Sequence, residues 1–440
     1  MILDLAVLLV LLVIIWLVNV TGIGAFFTIG DHASLAFGFI LLSSYVCGRV
    51  AKRAKLPMIT GYLIAGMVFG PYLIAKYLPS LGILTKEVIA SLELFETIAL
   101  GLIAFSAGGE MKMDMIRERL RSILTVAGVQ TLVVFVFGFF GIMLIFPFFD
   151  LFASVPHKRM IGTALLLAVV STAKSPASTI ALILEFRSRG PLTTSALGVT
   201  VVKDVLVLVL FSFAMIGAKL LFGVGGSPDT LGIVLTLSKE VFGSLGIGLL
   251  VGFIMARFMH IVDRELPMIL LALSFVAMKA GQEWHLSGLL ICMVAGFYVE
   301  NWGGEGDRLI RAIDHFSLPI FVLFFTITGA KLQLNTLVGL WPVVLVLVLL
   351  RLAVTFGGTW LGSRIAGDPP MVRKNLWMAF VTQAGVSLGL ASIIAKQIPG
   401  IGDEIRTIIV AAVAVNQIIG PIAFRYALLH SGEAGKGEVK

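Results

Sequence analysis

The sequence is poor in charge and nearly free of cysteine. Asp, Glu, Lys and Arg together make up 13% of its 440 residues, and only two cysteines and six histidines occur. Cys47 and Cys292 have neither the spacing of metal ligands nor the number that a disulfide framework requires. Hydrophobic residues make up 58% of the chain. They form repeated apolar stretches of about 20 residues, the length that crosses a bilayer. The composition therefore predicts an all-α polytopic membrane protein.

Motifs of catalysis and nucleotide binding are also missing. The chain has no H-E-x-x-H, P-loop or dinucleotide fingerprint. Residues 385–389 read G-V-S-L-G, as in a nucleophile elbow, but that motif requires a strand, a helix and a nearby histidine, whereas this stretch belongs to an apolar helix. The net charge of +8 does not indicate nucleic-acid binding, because the basic residues collect in short loops between apolar segments. We expect no enzymatic activity, no cofactor, no structural metal and no nucleic-acid partner.

Hydropathy predicts fourteen membrane helices, numbered 1 to 14 in chain order. They cover residues 3–20, 32–51, 58–78, 92–110, 121–149, 160–185, 191–217, 231–258, 265–281, 285–301, 312–333, 338–364, 373–396 and 404–429. Loops after even-numbered helices hold 20 Lys and Arg residues, and loops after odd-numbered helices hold 8. By the positive-inside rule, both termini are expected to be cytoplasmic, in a bacterial inner membrane.

Two polar interruptions indicate an internal repeat. Helix 6 contains S-T-A-K-S-P at 171–176, where Pro176 removes a backbone donor, and helix 13 contains T-Q-A-G at 382–385. The two breaks are seven helices apart, so their helices cross the membrane in opposite directions, as in transporters with inverted repeats. Asp204 follows Ala173 by 31 residues, and Asn416 follows Gly385 by 31 residues. The pair Lys203-Asp204 therefore corresponds to Asn416-Gln417.

The predicted domains follow from this repeat. They are an additional N-terminal helix at 1–31, a first repeat of helices 2–7 at 32–221, a linker helix 8 at 222–262, a second repeat of helices 9–14 at 263–429 and a short cytoplasmic tail at 430–440. The residues Pro176, Gln383 and Gly385 mark the breaks. Unwound backbone exposes carbonyls and amides to a cavity, which favours a cation site. The alternative is that Ser and Thr hydroxyls bond to carbonyls one turn back and that Pro176 only kinks its helix.

The main candidate for a functional site is Lys203-Asp204, in the middle of the apolar run 195–217. Charge at the centre of a bilayer costs roughly 2.5 to 3.5 kcal/mol per residue, so such residues usually mark an ion or proton pathway. A carboxylate holds either a hard cation or a proton, and competition between the two couples their fluxes. Thr200, one turn before Asp204, lies on the same face of the helix.

At this point the chain resembles the monovalent cation:proton antiporter-2 (CPA2) family, which has the sodium/proton antiporter fold. Residues 56–71, with L-P, G-Y-L-I-A-G and G-P, are similar to the first core helix of that family. Residues 105–110, F-S-A-G-G-E, are similar to its phenylalanine, glycine and glutamate motif. The resemblance extends from His32 to Leu429 and also covers the break in helix 6 and the helix of Asp204.

The resemblance implies a homodimeric antiporter in the lipid bilayer that exchanges sodium or potassium for protons by an elevator-like mechanism. It implies that Asp204 binds the cation and accepts the proton, and that Ser171 and Thr172 are polar groups at the break. Arg351 falls where the family places a buried basic partner near the site. Because only one carboxylate is present, we expect one cation per proton and electroneutral exchange.

Two lysines depart from the family pattern. The residue before the aspartate is usually Asp or Asn, and here it is Lys203, while Lys174 is an unexpected cation at the helix break. If both face Asp204 with Arg351, three positive charges surround one carboxylate, and charges about 4 Å apart interact by about 4 kcal/mol at an effective dielectric of 20. Three arrangements relieve this charge. In the first, Lys203 points about 100° away from Asp204 around the helix and pairs with another helix. In the second, burial leaves a lysine neutral or lets it carry protons. In the third, the fold serves as an anion-selective pathway or a non-transporting sensor.

Overall fold

The computed structural model describes residues 13, 29–78, 84–149, 156–224, 230–261, 266–332, 334–398 and 401–436. Within these ranges every regular element is a helix, which confirms the all-α fold class. Predicted helix 1 lies outside the described residues, apart from residue 13.

The helices are named here in chain order. Their bounds are α1 Ile29–Arg53, α2 Met58–Phe69, α3 Ile74–Tyr77, α4 Lys86–Ser91, α5 Glu93–Gly109, α6 Met113–Ile145, α7 His157–Thr172, α8 Pro176–Glu185, α9 Pro191–Phe222, α10 Thr230–Met259, α11 Leu266–Trp284, α12 Gly288–Tyr298, α13 Gly306–Ala330, α14 Leu334–Ala366, α15 Pro370–Asn375, α16 Gly385–Gln397 and α17 Gly402–His430. A π-helical segment, Val299–Gly303, extends α12, and a 3₁₀ helix, Leu376–Phe380, extends α15.

The helices agree with the predicted membrane spans. Predicted helices 2 to 14 each coincide with one helix or one helix pair, helix 6 with α7 and α8 and helix 13 with α15 and α16. In the described part of the chain, nine helices are long and apolar enough to cross a membrane, or eleven if each of two bent pairs forms one span. α5 and α12 have 17 and 11 residues, fewer than the roughly 20 that a full crossing requires. The polytopic architecture is confirmed.

The chain forms two compact units, each assembled from both halves of the sequence. The first unit comprises Met1–Lys112, Ile180–Glu185 and Glu240–Asn335, and the second comprises Met113–Thr179, Phe186–Lys239 and Thr336–Lys440. By the predicted numbering, the first unit contains helices 2–4 and 9–11, most of helix 8 and the end of helix 6, and the second contains helices 5–7 and 12–14 apart from the end of helix 6. Each predicted repeat therefore contributes its first three helices to one unit and its last three to the other.

Glycines bring pairs of helices in the first unit into backbone contact. A Cβ on Gly66 of α2 would lie 2.0 Å from the carbonyl oxygen of Thr326 in α13, and a Cβ on Gly329 of α13 would lie 2.2 Å from that of Leu63. α5 and α12 approach in the same way, because a Cβ on Gly108 would lie 1.9 Å from a carbonyl oxygen of α12. Only glycine permits such a close approach. The first pair, α2 and α13, corresponds to predicted helices 3 and 11, and the second pair, α5 and α12, to helices 4 and 10. The predicted repeat relates helix 3 to helix 10 and helix 4 to helix 11, so each contact is the counterpart of the other.

In the second unit, the residues after α17 attach the end of the chain to the start of α9. The Glu433 side chain is buried and accepts hydrogen bonds from Leu192 N at 2.7 Å, Thr193 N at 2.8 Å and Thr193 Oγ1 at 2.7 Å. These amides belong to the first turn of α9, where backbone donors have no partner within the helix. Gly190 makes room for this carboxylate, since a Cβ there would lie 2.4 Å from Glu433 Cδ. The segment predicted as a tail thus caps the helix that carries Lys203 and Asp204.

Candidate functional site

Two helices of the second unit are interrupted, and their unwound segments touch. α7 ends at Thr172 and α8 begins at Pro176, so the interruption lies before the proline, which occupies the first position of α8. Proline suits that position because it has no N–H to donate. The second interruption lies between Phe380 and Gly385, where α16 begins. Ser175 N donates to Thr382 O at 2.8 Å and joins the two segments.

The Arg351 guanidinium of α14 binds the carbonyl ends of both interruptions. Nε donates to Ser171 O at 3.0 Å, and Nη2 donates to Ala173 O at 3.0 Å. Nη1 donates to Val381 O at 2.6 Å, and Nη2 also donates to Phe380 O at 3.0 Å. The last carbonyls of a helix lack partners within it and carry partial negative charge. Arg351 therefore compensates the negative ends of two half-helices at once, and its side chain is only 3% exposed.

Side-chain amides extend this network. Gln383 Nε2 donates to Val170 O at 3.0 Å and to Ala173 O at 3.3 Å, and Gln383 Oε1 accepts a bond from Asn416 Nδ2 at 2.8 Å. Ser178 Oγ donates to Gln417 Oε1 at 3.4 Å. The pair Asn416-Gln417 thus contacts both interrupted helices. Asn416 Oδ1 and Gln417 Nε2 are buried without a hydrogen-bond partner among the residues that the structure describes.

A small cavity lies beside these groups and has space for about one water molecule. Its lining residues are Leu167, Val170, Ser171, Leu347, Val348, Arg351, Gln383, Ile409, Ala412 and Asn416. The free Oδ1 atom of Asn416 is an acceptor that a water molecule in this space would satisfy.

Lys203 and Asp204 are neighbours on α9 with different surroundings. Lys203 is 1% exposed, and its Nζ donates to Gln130 Oε1 of α6 and lies 5.6 Å from the centre of the Phe380 ring. This geometry corresponds to the first of the three arrangements considered above, with the partner on another helix. Asp204 is half-buried, and no described residue forms a hydrogen bond or a close ion pair with its carboxylate. The carboxylate is therefore open to a mobile partner.

Lys174 is a second buried lysine at the site. It lies in the unwound segment between α7 and α8, is 1% exposed and has its Nζ 5.8 Å from the centre of the Phe380 ring. Its Nζ has no hydrogen-bond partner within the described ranges. Asp204 lies within electrostatic range of both Lys174 and Lys203, and Arg351 within range of Lys203. The structure thus brings together the four charged residues that the sequence singled out.

The candidate hydroxyls bond to their own helices. Ser171 Oγ donates to Leu167 O at 2.7 Å and Thr172 Oγ1 to Val169 O at 2.6 Å. Thr200 Oγ1 donates to Ala196 O, one turn earlier in α9. These are the backbone contacts that Ser and Thr commonly make in membrane helices. Their oxygens keep free acceptor capacity, since a hydroxyl that donates one bond can still accept.

Three residues of the site were not singled out from the sequence. Thr382 was noted only as part of a break, and its carbonyl joins the two segments. Gln130 carried a usable signal, because it is an amide within the apolar stretch of predicted helix 5. Phe380 carried none, since phenylalanine is common throughout this chain. No group of three or more His, Cys, Asp or Glu side chains suited to a metal ion occurs in the part that the structure describes.

Sequence comparisons find relatives along nearly the whole chain. A family model described as sodium/hydrogen exchanger, transmembrane, matches residues 40–429. The chain is 23% identical over 398 residues to probable Na(+)/H(+) antiporter 3 of Methanocaldococcus jannaschii, covering 88% of this chain and 95% of that protein. It is 23% identical over 401 residues to the Na(+)/H(+)-K(+) antiporter GerN of Bacillus cereus, covering 88% of this chain and 94% of GerN.

A solved structure has the same fold. The sodium proton antiporter MjNhaP1 from Methanocaldococcus jannaschii, determined at pH 8, matches with a TM-score of 0.63 at 17% identity, covering 93% of this chain and 98% of that one. The predicted resemblance to cation:proton antiporters is thereby confirmed at the level of the family and the fold. The narrower CPA2 assignment stays a prediction.

Proposed function

The chain belongs to the sodium/hydrogen exchanger family, and on this premise we propose that it exchanges a monovalent cation, sodium or potassium, for protons across a membrane. The observation that carries the proposal is Asp204, a carboxylate in the middle of α9 with no bonded partner among the described residues. It lies in the same unit as two interrupted helices that touch. The proposal assigns no enzymatic activity to the chain.

Competition at Asp204 would couple the two fluxes. A carboxylate binds either a hard cation or a proton, and a site that holds one at a time exchanges one for the other. Ser171, Thr172 and Thr200 would supply hydroxyl oxygens near the cation, while Arg351 holds the interrupted backbone in place. Because Asp204 is the one acidic side chain near the breaks within the spans that the structure describes, we propose one cation per proton. A rate that responds steeply to membrane voltage would contradict electroneutral exchange.

Several broader features of the prediction remain proposals. The reciprocal glycine contacts of α2 with α13 and of α5 with α12 support two inverted repeats. The division into two units supports an elevator-like mechanism, in which the second unit would carry Asp204 across the membrane. Homodimer formation rests on the family resemblance. A bacterial inner membrane with both termini in the cytoplasm rests on the asymmetry of basic loop residues.

Transport by purified protein tests the proposal. Proteoliposomes that enclose a pH-sensitive dye should report proton movement when sodium or potassium is added outside. Asp204→Asn keeps the size of the side chain, removes its charge and should abolish the signal. Glu404→Gln is the matched control, because Glu404 is an exposed carboxylate in the first turn of α17. Wild-type activity in Asp204→Asn would refute the proposal.

The second candidate is an anion-selective pathway or a non-transporting sensor of the same fold. The observation that favours it is the pair of buried lysines, Lys174 and Lys203, near a single carboxylate. Chloride supplied with an impermeant organic cation distinguishes the candidates in the same vesicles. A signal that follows chloride and ignores sodium and potassium would favour the second candidate.

A further inference from the structure

Lys203 and Lys174 are the two buried lysines within electrostatic range of the proposed cation site, and Lys203 is the direct neighbour of Asp204. Lys203 precedes Asp204 in α9, and its long side chain is fully buried. The other acidic residues described in the second unit lie at or near helix ends and not within spans. They are Asp114, Glu118, Asp368, Asp403, Glu404 and Glu433. An ammonium freed at this depth would therefore have Asp204 as its acidic partner, since a buried charge requires compensation.

Gln130 of α6 prevents this pairing in the structure. Its side-chain oxygen accepts a hydrogen bond from Lys203 Nζ, and its side chain is 1% exposed. The helix that carries Gln130 packs against α14 and α9. A Cβ on Gly358 of α14 would lie 3.1 Å from Gln130 Cα, and a Cβ on Gly198 of α9 would lie 2.4 Å from Ile123 Cδ1 of α6. The Gln130 backbone thus packs against α14, and α6 contacts α9 between one and two turns before Lys203.

A neutral amide has the chemistry that this position requires. An amide oxygen makes a charge-assisted hydrogen bond to an ammonium without adding a second carboxylate that would compete for the transported cation. The face of Phe380, 5.6 Å from Lys203 Nζ, supports the same position by a cation–π contact. The other charged groups nearby are Lys174 and Arg351. Arg351 is occupied by four carbonyls, and Lys174 lies at 5.8 Å from the same ring.

We propose that Gln130 is a positioning residue that holds Lys203 away from Asp204 and so keeps the carboxylate open to the transported cation. The inference rests on the proposed function, because it assumes that a cation binds at Asp204. Without the amide, Lys203 competes with the cation for the carboxylate. Competition raises the cation concentration needed for half-maximal exchange but leaves the rate at saturating cation nearly unchanged.

The test uses Gln130→Met, which has a similar length and no oxygen, in the full chain in proteoliposomes. The KM for sodium or potassium should rise at least tenfold, whereas kcat should stay within about twofold. In Gln130→Met/Lys203→Met the competing ammonium is absent, so KM should return to within about twofold of that of Lys203→Met alone. A merely structural role would lower the amount of active protein, and thus the apparent kcat, without this change in KM.

Two results would overturn the inference. One is a KM in Gln130→Met equal to that of the wild type, and the other is a raised KM that persists in the Lys203→Met background. Gln130→Ser serves as a second variant, and failure of both variants to fold would assign Gln130 a structural role instead. If the wild type exchanges cations for protons, Asp204→Asn does not, and Gln130→Met has the KM of the wild type, then this inference is refuted and the proposed function stands. A wild-type protein that does not exchange cations for protons refutes the proposed function.

Discussion

Replacing Arg351 by methionine would show how much the two helix interruptions depend on one guanidinium. The wild-type side chain is 3% exposed and donates to the carbonyls of Ser171, Ala173, Phe380 and Val381 at 2.6 to 3.0 Å. Methionine fills a similar length but has no donor. The substitution therefore removes the bonds that connect the end of α7 to the 3₁₀ helix before α16, while it preserves most of the packing.

The expected loss of stability is a balance of two opposing effects. A buried carbonyl left without its donor costs about 1 to 3 kcal/mol. Ala173 O keeps the Gln383 amide at 3.3 Å, so the other three carbonyls bear most of this cost. Removing a buried charge returns part of its desolvation penalty, which is several kcal/mol per ion. We expect a net destabilisation of about 3 kcal/mol, because three unsatisfied carbonyls cost more than the part of the desolvation penalty that is returned.

Thermal unfolding of the detergent-solubilised protein measures this change, and proteoliposome exchange measures its functional effect. Arg351→Met should unfold at a clearly lower temperature and should lose exchange. Arg351→Lys should lie between the two, because an ammonium has three donors but not the planar fork that reaches four carbonyls. Arg364→Met, an exposed position on the same helix, is the control and should behave like the wild type. A wild-type unfolding temperature in Arg351→Met would refute the reasoning.

Two further substitutions test the packing. Glu433→Gln weakens the three hydrogen bonds that cap α9 and should cost about 1 to 2 kcal/mol of stability, measured as a lower unfolding temperature. The exposed Glu404→Gln is the control and should leave the unfolding temperature unchanged. An unchanged temperature in Glu433→Gln would contradict this role. Gly66→Ala places a methyl group 2.0 Å from Thr326 O and should prevent α2 from packing on α13, which is read as loss of monodisperse protein in gel filtration. Gly38→Ala, with no atom within 4 Å of the new methyl group, should fold normally, and equal behaviour of the two alanine variants would disprove the contact.

Much of the fold was predictable because hydropathy and backbone chemistry are local. The predicted helices 2 to 14 coincide with the described helices, since a span must satisfy its own backbone hydrogen bonds within one apolar segment. The break in helix 6 was visible in the residues themselves, because Pro176 cannot donate to the preceding turn. The T-Q-A-G sequence placed the other break within a residue of its position at 381–384.

The contacts at the site were less predictable because they join residues that are far apart in sequence. Arg351 was expected to be a buried basic partner near the site, and the sequence did not indicate that its guanidinium binds the carbonyl ends of the interrupted helices. Residues 430–440 were predicted only as a short cytoplasmic tail, and the sequence did not indicate that Glu433 caps α9. No periodicity in the sequence indicates which helix ends will face a given side chain.

The sequence by itself determined that this chain is a bundle of apolar helices with an acidic side chain at membrane depth, because the cost of placing charge in hydrocarbon can be read from composition and position alone. Only the tertiary structure decided which group each buried charge faces. Lys203 and Gln130 are 73 residues apart, and α6 and α9 bring them together. Whether the ammonium beside Asp204 blocks that carboxylate or bonds elsewhere depends on helix packing, which sets the direction of every side chain at once.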